Sequence, residues 1–75
     1  MKELDLHGIR HDEARRLIER FIYNNDLPVK IITGHSLRMK SIINEILNEI
    51  WLNEGLILNA RNESIANQGA VVITN

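Results

Sequence analysis

Two apolar stripes at helical spacing, each introduced by a short β-type segment, leave this chain few ways to fold. Ala14, Leu17, Ile18, Phe21 and Ile22 recur as one face of a helix, with Glu13, Arg16, Glu19 and Arg20 on its wet side. Met39, Ile42, Ile43, Ile46, Leu47, Ile50 and Trp51 repeat that pattern over several turns. Asp12 suits the N-cap of the first helix, and Asn24-Asn25-Asp26 with Pro28 ends it. Ser36 suits the N-cap of the second, which begins at Leu37, and Gly55 suits its C-terminal stop. Trp51 and Phe21 fall on the apolar faces and are expected in the core, whereas Tyr23 is off the stripe and expected to be exposed.

Residues 3–7 alternate as a strand, with Leu4 and Leu6 on one face and Asp5 and His7 on the other. Val29-Lys30-Ile31-Ile32, bounded by Pro28 and Gly34, is a second strand. Residues 56–61 and 70–73 read as two more, separated by a polar loop over 62–68. The order βαβαββ in 75 residues makes one domain, 1–75, of the α/β (α+β) class. The economical arrangement is a two-layer sandwich: a four-stranded mixed sheet with both helices on one face and the first two strands parallel. The turns at Gly8 and at Thr33–Ser36 then meet at one edge, where ligands bind in α/β sheets. Asp5, His7, Asn59 and Arg61 are expected on or near the open sheet face.

Composition narrows the functional classes. A hydrophobic share of 44% and a charged share of 25% describe a globule and not a disordered tail. The absence of cysteine removes disulfides and thiolate zinc sites and agrees with a reducing compartment. With no signal-like or membrane-length apolar run, a cytoplasmic setting without membrane contact is expected. A net charge of −1 argues against strong, indiscriminate nucleic-acid binding. The charges are unevenly spread, however: His7, Arg10, His11, His35, Arg38 and Lys40 gather at the two loops, and Glu45, Glu49 and Glu54 lie further along.

Asp5 and His7 are the first candidates for chemistry. A carboxylate beside an imidazole can orient and charge it for proton transfer; it can equally bond a turn. The Thr33-Gly34-His35-Ser36 turn, between a strand and a helix, offers backbone N–H groups as a phosphate seat, and Ser36 can cap the helix at the same time. Gly8, Arg10, His11, Gly34, His35, Ser36, Arg38, Lys40 and Arg61 are the candidate phosphate and nucleic-acid contacts. No cofactor is implied. A divalent metal on His7, His11 and His35 with Asp5 is the lesser reading, because the spacing matches no zinc pattern.

Leu4-Asp5-Leu6-His7-Gly8, followed by a helix entered through Glu13-Ala14, resembles the signature of the Smr (small MutS-related) domain family. Val29-Lys30-Ile31-Ile32-Thr33-Gly34 resembles its second motif, a strand running into a Thr/His-Gly-x-Gly turn. Gly69-Ala70-Val71-Val72 resembles the end of its third, glycine-rich motif. Ser36 stands where the family usually has the second glycine, and Asn67 where the third motif tends to have one. The resemblance implies a fold like the C-terminal domain of translation initiation factor three. It also implies nucleic-acid binding, often with endonuclease activity, and gives the activity to Asp5 and His7 and the turn to Gly34, His35 and Ser36.

The expectation is therefore a minimal domain that binds RNA in preference to DNA and hydrolyses or transesterifies phosphodiester bonds weakly, as an endonuclease. Asp5 would orient His7, and His7 would act as general base or acid. The alternatives are a non-catalytic nucleic-acid or ribosome-binding module and, more plainly, a protein–protein adaptor.

Overall fold

A computed structural model describes all 75 residues. The order is β1 (Lys2–Asp5), α1 (His11–Asn24), β2 (Val29–Ile32), α2 (Leu37–Glu54), β3 (Asn59–Asn62) and β4 (Ala70–Thr74). The four strands form one sheet in the order β1-β2-β4-β3. β1 and β2 are parallel, and β4 runs antiparallel to both β2 and β3. The expected βαβαββ two-layer α+β sandwich with a mixed sheet is the fold observed.

Period-two alternation divides the sheet. Val29, Ile31, Val71 and Ile73 bury their side chains in one core with Ala14, Ile18 and Ile22 of α1 and Met39 to Ile50 of α2. On the other face one row runs Glu3, Lys30, Val72, Arg61 across all four strands. There Lys30 Nζ bonds Glu63 Oε1 at 3.0 Å and lies 4.0 Å from Glu3. The bond to Glu63 favours the ammonium form and pushes the Lys30 pKa up, against a smaller desolvation effect.

Each helix starts for a different reason. Ser36 Oγ accepts from the Met39 N–H at 3.1 Å, the expected cap of α2, and Gly55 closes that helix through its N–H to the Trp51 carbonyl at 2.9 Å. Asp12 is not the cap of α1: the cap position lies two residues earlier, at Arg10, and the helix begins at His11 with no side-chain cap. Asp12 instead pairs with Arg10 Nε at 3.3 Å and sits with Glu13 at the positive helix end.

Arg15 ties the two helices together. Its guanidinium meets Glu19 on its own helix and Glu45 and Glu49 on α2. Such exposed pairs contribute at most about 1 kcal/mol each, so the packed apolar stripes carry the layer. At the far end the Tyr23 hydroxyl donates to Glu54. That bond, with smaller help from desolvation and the charge of Glu54, holds the phenol above its ordinary value of 10.0. Tyr23 is the sole tyrosine, so an ultraviolet titration reads it directly: its midpoint is expected above 10.0, and Glu54→Ala is expected to bring it down. Because the folded pKa is the raised one, the contact supports the fold below the ordinary phenol pKa and is lost as pH climbs through the folded value.

Three further expectations need correction. β1 stops at Asp5 and not at residue 7, although the Leu6 N–H still donates to the Ile32 carbonyl at 2.9 Å. β3 covers Asn59–Asn62, not residues 56–61. Trp51 is 51% exposed and is not in the core. Phe21 is half-buried against the core, and Tyr23 is exposed as expected. No helix is long and apolar enough to cross a membrane.

Candidate functional site

The parallel pairing of β1 with β2 puts the ends of both strands at one edge, and each ends in a glycine turn. Leu6-His7-Gly8-Ile9 closes through the Ile9 N–H to the Leu6 carbonyl at 3.0 Å. Gly8 takes φ +77° at its third position while no non-glycine residue has positive φ, which is the type II pattern. A side chain at Gly8 would meet no neighbour, so the backbone angle alone requires glycine there. Asp5 Oδ1 accepts from the His7 N–H at 2.8 Å. The carboxylate thus fixes the backbone on which His7 is mounted, as an Asx turn does. His7 is exposed.

The second turn is fastened from β4. The Gly69 carbonyl accepts from the N–H groups of both Thr33 and Gly34, each at 2.9 Å. The buried Thr33 hydroxyl lies 2.8 Å from the Gly34 carbonyl and 3.3 Å from that of Gly69. Gly34 has φ +64°, and a Cβ added at Gly69 would stand 3.6 Å from its Cα. The Gly34 N–H is therefore already used. The N–H groups of His35 and Ser36 find no internal acceptor, and they lie at the positive end of the 18-residue α2.

Between the two turns lies a cleft of about 330 Å³. Asp5, His7, Gly8, His11, Gly34 and Ser36 of the predicted residues line it. His35 sits in the second turn without lining the cleft. Ile9 and Met39 line it too and were not singled out from sequence; Thr33, read there as the start of the turn but not as a contact, lines it as well.

The expected cations gather less closely. Arg10 pairs with Asp12, and Arg38 Nη1 lies 3.6 Å from Glu45. Lys40 Nζ bonds Asn62 Oδ1 at 3.0 Å, and Lys40 and Arg61 line a separate cleft beside β3. Arg61 is one strand beyond β4, so the sheet order itself keeps it from the β1–β2 turns. His7, His11, His35 and Asp5 do not come together as a metal-binding group: no set of three or more His, Asp or Glu side chains has that arrangement.

Comparison of the chain with family models, with curated proteins and with solved structures gives no match. The fold and site define a small α+β domain with a turn-lined cleft at the parallel strand ends. The Smr resemblance rests on its motif residues alone.

Proposed function

We propose that this domain holds RNA by its phosphate backbone in the cleft between the His7 and Gly34 turns and cleaves it slowly. The observation that carries this reading is His7: an exposed imidazole on a fixed turn, sharing a cleft with His11, beside a loop with two unspent N–H groups. Supported also by the resemblance to Smr domains, His7 takes the proton of a 2′-hydroxyl. The freed oxygen attacks the adjacent phosphorus, the bond to the 5′-oxygen breaks, and that oxygen receives a proton from His11 or water. The Ser36 amide, which borders the cleft, and the α2 terminus offset the charge that develops on phosphate.

A non-catalytic module is the second reading, favoured by the pairing of Arg10 with Asp12 and of Arg38 with Glu45. With Arg10 and Arg38 paired and Lys40 and Arg61 at a separate cleft, either reading predicts a shallow salt dependence, a log–log slope of about −0.7 to −1.4, equivalent to one or two phosphates on a single strand. The deciding assay uses labelled RNA, the same RNA with one 2′-deoxynucleotide at the cleavage position, and DNA, each with EDTA. The proposal expects cutting of the RNA alone. Binding without cutting leaves the module, and no salt-dependent binding to any strand sinks both.

A further inference from the structure

We propose that two copies of this chain pair through the free edge of β3 and the adjoining side of α2. The sheet has two edges, and they differ. β1 carries charge at Lys2, Glu3 and Asp5, three of its four residues, the usual protection against strand addition. β3, with Asn59, Ala60, Arg61 and Asn62, carries one charge. The Glu63 N–H donates to the Ala70 carbonyl at 2.8 Å, which marks that residue pair as hydrogen-bonded. Bonded pairs alternate along an antiparallel ladder, so Asn59 and Arg61 spend their backbone groups on β4. Ala60 and Asn62 therefore turn theirs outward, toward no strand.

Beside this edge two large apolar side chains are exposed. Trp51 and Ile57 are 51% and 64% exposed. Together they present on the order of 250 Å². Trp51 and Ile57 join Leu47 and Leu58 in a groove of about 430 Å³ that is rimmed by asparagines and contains no charged side chain.

That neutrality argues for a second copy as the occupant. Close to a two-fold axis a group meets its own twin, so a charge there would meet like charge, whereas asparagine amides both donate and accept. Two-fold symmetry also makes the paired β3 strands antiparallel. Centred on Ala60, the pairing puts Arg61 of one copy beside Asn59 of the other and not beside Arg61. A stable pair needs about 800 Å² per partner. Trp51 and Ile57 supply roughly a third of that, and Leu58, Ala60, the asparagine rim and the open strand edge adjoin them on the same face.

Trp51 is the only tryptophan, so it reports on this face alone. Sedimentation equilibrium over a concentration series is expected to show the mass rising from 8.7 kDa toward twice that value. Trp51 emission should move to the blue in parallel. Ile57→Lys and Asn48→Asp, both at exposed positions, are expected to hold the mass and emission at monomer values with unchanged circular dichroism. A chain that stays monomeric to about 1 mM, with fixed emission, overturns the pairing and leaves the edge to a strand of another polypeptide. A dimer indifferent to both variants overturns it as well.

Discussion

His7→Ala is expected to lower RNA cleavage by about 10² to 10⁴-fold, the range that a positioned acid–base group supplies. Its unfolding midpoint should stay that of the parent chain, since the side chain is exposed and its turn is held by backbone bonds. RNA affinity measured in the same samples should change little, because the proton-transfer group is not the charge that holds phosphate. Cleavage of end-labelled RNA against time provides the measurement, and an unchanged rate would remove His7 from the chemistry.

Asp5 has a different role in that experiment. Its carboxylate accepts the His7 backbone N–H at 2.8 Å, which an asparagine oxygen can also do. Asp5→Asn should therefore keep most of the cleavage rate, and Asp5→Ala should lose it. A positioning role through the backbone predicts that split; a carboxylate needed for its charge on the imidazole predicts equal losses.

The elements legible in the sequence are those fixed by local chemistry. Ser36 marks the start of α2 because a hydroxyl three residues before Met39 can accept its N–H. Parallel pairing of β1 with β2 followed from the helix between them, and with it the meeting of the two glycine turns. The failures depend on partners distant in sequence. Leu56, Ile57 and Leu58 have strand-like side chains, yet the ladder with β4 starts at Asn59, opposite Thr74, and they lie outside it. Trp51 keeps the helical spacing of a core residue, but it lies on the side of α2 that overhangs the β3 edge. At the site, alternation put Asp5 and His7 side by side; the chain turned at Leu6, and the carboxylate met the backbone of His7. Arg38 and Lys40 were close in sequence to the second loop, but partners on α2 and β3 take them.

Ile31→Ala should have the largest effect on stability. Ile31 is fully buried at the centre of β2, flanked by Leu4 on β1 and Val71 on β4, with both helices contributing to the core it enters. Removing its outer carbons costs about 2–5 kcal/mol, the transfer energy plus the cavity that neighbours on both sides cannot close. A chain of 75 residues has only about 4–11 kcal/mol of stability at the usual value per residue. The substitution thus removes a large share of it. At about 4–8 °C per kcal/mol for a domain of this size, the melting temperature should fall by roughly 8–40 °C. Ile57→Ala removes the same carbons from a side chain that is 64% exposed and should shift melting far less. Thermal melts of the dilute chain compare the two, and equal shifts would contradict the burial that separates them. Ile31 also lies on the strand that leads into Thr33 and Gly34. At a temperature where Ile31→Ala remains folded, its cleavage rate per folded molecule should still match the parent, which sets a loss of fold apart from the loss of chemistry in His7→Ala.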